Sequence, residues 1–206
     1  MENIILSLLL LKSMTIYEMK SYIQQELSTV CSASLGSLQT AIKKLLEKGF
    51  IKVSKFIENS TLKKEYHITN SGVKYYKSCS GTPINIQKIK NMEWGKVFFL
   101  GMAEKEKRIS FLESYIGNLK KEYAQLLQIK KMIDKNKDSA VEKNVRRIEK
   151  DHSLKENLLT VSSEESLWSV VNNINNYQIY MLEYGLERIK SDLSFYKKIL
   201  KREMES

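Results

Sequence analysis

The chain has 206 residues and a formal net charge of +10, with 42% hydrophobic and 28% charged side chains. That apolar share is enough to bury a core, and the basic excess favours a polyanionic partner such as nucleic acid or an anionic surface. Two cysteines, Cys31 and Cys79, exclude a disulfide framework, and the longest apolar run, residues 4–11 broken by Ser7, is well short of the ~20 residues that span a bilayer. That run also lacks the flanks of a signal peptide, so the expected compartment is the cytoplasm and no membrane partner is expected.

Residues 2–11 read as an apolar helix. Thr15 can cap a second helix over 16–27, with Tyr17, Met19, Tyr22 and Ile23 among its larger side chains. The stretch STVCSAS reads as a serine-rich turn. Ser34 can cap a third helix that Gly49 ends. Within that helix Leu38, Ala41, Ile42, Leu45 and Leu46 recur at three- and four-residue spacing, and Ser37, Gln39, Thr40, Lys43 and Lys44 fall on the other side. Residues 50–57 and 63–68 read as two strands joined by ENST, and Thr69 caps another helix.

Three helices, two strands and a helix are the layout of a winged helix-turn-helix. A helix that reads the major groove needs one apolar side for its domain, small hydrogen-bonding side chains near its start, and cations where phosphates pass. Ser37, Gln39 and Thr40 fit the base-reading part, and Lys43 and Lys44 fit the phosphate part. Ser34, at the helix start, joins the candidate DNA-binding set. Residues 43–77 hold nine lysines against three glutamates. Lys55, Lys63 and Lys64 bracket the hairpin tip, where a wing would follow the phosphate backbone. A lysine-rich hairpin could equally serve to prevent edge-to-edge aggregation.

The single proline, Pro83, sits in SCSGTPIN and marks the expected boundary. We place a DNA-binding domain at 1–80 and a helical dimerisation domain at 81–206, mainly α overall with a small β-wing. Ile109, Leu112, Ile116, Leu119, Tyr123, Leu126 and Ile133 form one heptad-like seam. Leu182, Leu186, Ile189, Leu193, Tyr196 and Leu200 form a second, preceded by Leu167, Val171 and Ile174, with a helix beginning near residue 164. Gly185 inside it suggests close approach of another backbone. Residues 136–163 are very polar and predict at most a short helix near 141–150. Narrow seams of this kind predict pairing with a second copy, or within one chain. The dimer is favoured, because two-fold symmetry places two reading helices on successive major-groove faces.

His67 and His152 are isolated, no glycine-rich phosphate loop occurs, and no nucleophile and base pair is evident. No metal, cofactor or catalytic activity is therefore expected. Trp94, Phe98, Phe99, Trp168, Tyr177, Tyr180 and Tyr184 could line an effector pocket or simply form core.

Several pieces resemble one family. ILSLLLLKSMTIYEMKSYI, GSLQTAIKKLLEKGFI and KKEYHITNSG are similar, in that order, to the winged domain of the PadR-like transcriptional regulators. WGKVFFLG and YMLEYGLERIKSDLSFYKKIL are similar to the subgroup with a long, virulence-activator-like C-terminal domain. Ile16 stands where the family usually has glycine, Gln39–Thr40 where it has Tyr-Pro, and Cys79 where it often has tryptophan. The resemblance implies a homodimer held by C-terminal helices, usually a repressor, in some members released by a small-molecule effector. It also implies DNA contact by Tyr17, Ser37, Lys43, Lys44 and the wing lysines. The alternative is a winged scaffold that binds proteins without reading double-stranded DNA, since winged folds serve both ends.

Overall fold

The computed structural model describes residues 1–27, 34–58, 60–82 and 93–205. Its elements are α1 (Glu2–Leu11), β1 (Met14–Thr15), α2 (Ile16–Glu26), α3 (Leu35–Glu47), β2 (Ile51–Glu58), β3 (Thr61–Ile68), α4 (Asn70–Cys79), α5 (Trp94–Phe98), α6 (Lys105–Glu149), α7 (His152–Ser162) and α8 (Leu167–Glu205). Most of the serine-rich stretch, Asn59 of the hairpin turn, and Pro83 lie outside the described residues.

Two compact units emerge: 1–82 with 138–177, and 83–137 with 178–206. The first unit is a winged helix built on α1, whose Ile5, Leu6, Leu8, Leu9 and Leu10 are all buried. An element this apolar has no solvent face to keep and so sits at the centre of its unit. The sheet has the order β1-β3-β2, all antiparallel. The two-residue β1 pairs Met14 with Tyr66 and Thr15 with Glu65, an edge too short to be visible in the sequence pattern.

Turn chemistry sets where α3 hands over to the hairpin. Gly49 takes φ +68°, the left-handed region in which a side chain is strained. Thr69 Oγ1 donates to the Gly49 carbonyl at 2.7 Å and accepts from the Gly72 N–H at 3.1 Å, so one residue closes the end of α3 and starts α4. Phe50 stacks on Tyr75 with ring centroids 4.4 Å apart. Gly72 lies against this turn, and a Cβ there would stand 2.1 Å from the Phe50 carbonyl oxygen. A backbone atom cannot swing aside as a flexible side chain can. Gly72→Ala is therefore expected to cost about 3 kcal/mol or more, readable as a lowered denaturation midpoint with an unchanged m-value.

The polar stretch 136–163 departs from its expected reading. It is helical almost throughout: α6 runs unbroken to Glu149, and α7 follows after the Asp151 side chain accepts from the Leu154 N–H. The pattern looked too polar because among its described residues only Val141, Ile148, Leu154 and Leu158 are buried apolar positions, with Val145, Leu159 and Val161 partly buried beside them. They do not join the second unit. With Leu167, Val170 and Val171 they enter the same core as α1 to α4. Segment 138–177, placed by the sequence within 81–206, thus packs as part of the winged unit. Arg147 Nη1 donates to the Leu11 carbonyl at 3.0 Å, and Lys77 Nζ donates to the Thr160 carbonyl and Ser163 Oγ, both at 2.8 Å.

In the second unit α6 and α8 pair antiparallel. Arg108 meets Glu203 at 2.9 Å, Arg188 meets Glu122 at 3.9 Å, and Lys130 meets Glu183 at 2.9 Å, so one number rises as the other falls. Leu112, Ile116, Leu119 and Leu126 pack against Leu186, Ile189 and Tyr196, all buried, with Leu182, Leu193 and Leu200 partly buried beside them. Gly185 is buried too.

Candidate nucleic-acid interface

α2 and α3 present the candidate reading surface. A capping box starts α2: the Glu18 N–H donates to Thr15 Oγ1 at 3.2 Å, and the Thr15 N–H donates to Glu18 Oε2 at 2.8 Å. The Thr15 backbone N–H, helped by Lys12, holds the Glu18 carboxyl below the usual carboxylate range. Tyr17, just after the cap, is 69% exposed.

On α3 the two faces separate cleanly. Leu38, Ala41, Ile42 and Leu45 are buried, while Ser34, Ser37, Gln39, Thr40, Lys43 and Lys44 are all exposed. Ser34 Oγ accepts from the Ser37 N–H at 3.1 Å and caps the helix. Ser37 Oγ donates to the Ser34 carbonyl at 2.8 Å, and Thr40 Oγ1 donates to the Gly36 carbonyl at 2.9 Å. Both hydroxyl protons are engaged by the helix itself, so each oxygen turns lone pairs outward. Gln39 makes no hydrogen bond among the described residues, so both halves of its amide are unengaged by the protein.

The cations beside these groups differ in commitment. Lys48 is taken up by Glu2 at 2.9 Å, an ion pair that ties the end of α3 to the start of α1 and holds the Glu2 carboxyl below its ordinary range. Among the described residues Lys43 has only a long contact with Glu47 at 3.9 Å. Lys44 lines a cleft of about 410 Å³ with Met1, Glu2, Gly36, Ser37, Thr40 and Ala41.

The wing register divides the three predicted lysines. Lys55 lies directly opposite Lys64, whereas Lys63 lies opposite Phe56. Cross-strand partners share a face and alternate along the strand. Lys55 and Lys64 therefore sit on the face that carries Tyr66 and Ile68 into the core, and Lys63 sits on the other. His67, on the same face as Lys63, is held between two hydroxyls, with Ser13 Oγ 2.7 Å from Nδ1 and Ser54 Oγ 2.7 Å from Nε2. Among the described residues no group of three or more His, Cys, Asp or Glu could hold a metal ion, and no helix is long and apolar enough to cross a membrane.

The predicted dimerisation residues Leu182, Leu186, Ile189, Leu193, Tyr196 and Leu200 are occupied by α6 of their own chain. The seam expected to meet a second copy is filled internally, because α6 and α8 fold back antiparallel. Among the described residues of the second unit the exposed apolar side chains are different ones: Tyr180, Met181, Tyr184, Phe195 and Met204 on α8, Ile129 and Met132 on α6, and Trp94, Phe98, Phe99 and Met102 before α6. At 3.6 residues per turn Tyr180, Tyr184 and Phe195 fall on the side of α8 opposite the seam. The aromatics that the sequence offered as pocket lining or core, among them Trp168 and Tyr177, are all exposed. The signal for this second stripe was present in the sequence, as aromatics at spacings of 4 and 11, but the stronger leucine periodicity masked it.

No family model and no curated protein matches the chain. Solved structures do. Bacillus subtilis PadR in complex with operator DNA is 21% identical, with a TM-score of 0.65 and coverage of 98% of each chain. The same protein in complex with p-coumaric acid is 20% identical, with a TM-score of 0.60 over 98% of this chain and 97% of that one. The Vibrio cholerae virulence activator AphA is 13% identical, with a TM-score of 0.56 over 98% of this chain and 96% of that one. The chain shares the PadR-like winged-helix fold along nearly its whole length.

Proposed function

We propose that this chain is a sequence-specific DNA-binding regulator of transcription that acts in the cytoplasm as a homodimer on a near-palindromic operator, and that it represses by occupying that site. One observation carries the reading. The exposed face of α3 holds Ser37, Gln39 and Thr40 followed by Lys43 and Lys44, directly opposite a buried aliphatic face. Gln39 suits adenine, to which an amide can donate and accept at once. The outward lone pairs of Ser37 and Thr40 suit amino groups on adenine or cytosine. Lys43, Lys44, Lys55 and Lys64 suit phosphates, and Tyr17 and Ser34 border the same surface. The fold shared with PadR, solved with operator DNA, supports the same assignment, and the PadR complex with p-coumaric acid supports a small effector as a regulatory input.

The reading is tested by selecting genomic fragments on the purified chain and titrating the recovered duplexes at two salt concentrations. Gln39→Ala is expected to relax preference at one or two base positions, with losses equivalent to about 1–3 kcal/mol there. Equal weakening on every sequence would remove Gln39 from base recognition.

The second copy is assigned to the outer stripe of α8 rather than to its leucine seam. Tyr180, Tyr184 and Phe195 are exposed by 56%, 60% and 56% in the single chain, a cost that a partner helix would relieve. Tyr184→Glu is expected to convert the dimer to monomer in sedimentation while leaving helix content unchanged. A persistent dimer would move the interface elsewhere.

A further inference from the structure

The far end of the wing carries a feature that phosphate binding alone does not explain. β2 and β3 are eight residues each, and their shared face reads, from base to tip, Ile51 with Ile68, Val53 with Tyr66, Lys55 with Lys64, and Ile57 with Leu62. The first pairs are core or its border: Ile51, Ile68 and Tyr66 are buried, and Val53 is 42% exposed. Beyond them the ribbon leaves its unit, and Leu62 stands four residues, or roughly 13 Å at ~3.3 Å per residue, past Tyr66. At that distance Ile57 is 75% exposed and Leu62 61%.

Two costs meet on this face. Lys55 and Lys64 are like charges directly opposite each other, an arrangement that weakens a strand pair, and neither forms an ion pair among the described residues. Immediately outside them lie two aliphatic side chains in water. A hairpin selected only to resist edge pairing would use the lysines and avoid the aliphatics. An anionic, groove-shaped partner removes both costs together. The minor groove of duplex DNA is about 6 Å wide with phosphates on both walls. Strands of a ribbon are about 4.8 Å apart, so Lys55 and Lys64 can reach opposite walls while Ile57 and Leu62 face the floor between them.

Resting on the DNA-binding reading above, the geometry points to Ile57 and Leu62 as a specificity-determining pair that probes the minor groove and selects A·T over G·C pairs beneath the wing. The reason is chemical. On the groove floor a G·C pair differs from an A·T pair by the guanine N2 amino group. Two aliphatic side chains offer that donor no acceptor, and they shield it from water. They press more closely on a floor that lacks it, as apolar side chains of other minor-groove binders do. The selection is made by exclusion, with no hydrogen bond from the protein to a base.

Inosine tests this directly, because an I·C pair keeps the major-groove edge of G·C and lacks the N2 amino group. Duplexes recovered by selection are changed one pair at a time, outside the segment sensitive to Gln39→Ala, to A·T, G·C or I·C. The full-length chain is expected to bind the G·C versions roughly tenfold more weakly than A·T at the wing positions, with I·C grouped with A·T. In I57S/L62S the three should become equal, while discrimination at the Gln39-dependent positions is retained. Both side chains are exposed, so the variant keeps the fold, and circular dichroism checks this. The proposal is overturned if I·C groups with G·C, if the double variant keeps the flank discrimination, or if it changes the oligomeric state with no effect on flank preference, which would make the tip a protein-docking site. Failure of the unmodified chain to bind any duplex would overturn the DNA reading itself, and this proposal with it. Retained binding without flank discrimination overturns this proposal alone.

Discussion

A chain cut after Thr82 is expected not to give a stable winged domain, although 1–82 contains every helix and strand of the winged motif. The core that seats α1 and α3 also contains Val141, Ile148, Leu154, Leu158, Leu167, Val170 and Val171, all buried. Each such side chain contributes about 1.5–3 kcal/mol on burial. Losing seven amounts to a gross loss of order 10 kcal/mol, which matches the whole stability of a typical domain. The cut also exposes the apolar faces of α1 and α4 on which α7 packs. Aggregation or a broad, non-cooperative melt is the expected result for 1–82. The point variant Leu158→Ala gives the same information without truncation. It removes a residue that is 4% exposed and should cost about 2–5 kcal/mol, much as Leu38→Ala on α3 should. A cooperative melt of 1–82 near that of the full chain would show that 138–177 is only an appendage.

Lys43→Ala is expected to weaken binding to all duplexes roughly tenfold at low salt and to flatten the salt dependence. Each phosphate contact contributes about 0.9 to the slope of log affinity against log salt. A two-fold dimer loses two contacts, so the slope should fall by nearly 2. Because Lys43 is exposed and holds only a 3.9 Å contact with Glu47, the substitution should leave stability within about 0.5 kcal/mol of the parent. On the proposed reading, the contrast with Gln39→Ala separates positioning from reading: Lys43 would set how tightly any sequence is held, and Gln39 which sequence is held. An unchanged slope for Lys43→Ala would place the phosphate path away from this turn of α3.

The face of α3 was legible from the residues because one helix with one solvent side obeys a single period. Ser34, Thr15 and Thr69 were legible as caps for a similar reason, since each accepts from the N–H three residues on. The wing was legible as two strands, but the division of its lysines was not. Which of Lys55, Lys63 and Lys64 share a face depends on register, and register is set by where Ile51 and Ile68 enter the core.

The long helices mark the other boundary. Their leucine spacing alone determined that each has an apolar seam, but a seam carries no record of which helix will fill it. Tertiary structure decided that α6 and α8 fill each other's within one chain, leaving Tyr180, Tyr184 and Phe195 outward. It also decided that the inward positions of 138–177 close the core of the winged unit. Local periodicity and capping chemistry act over a few residues and can be read from the order of side chains. The choice of packing partner is made by contacts between residues 53 to 136 positions apart, where shape and burial discriminate and sequence spacing does not.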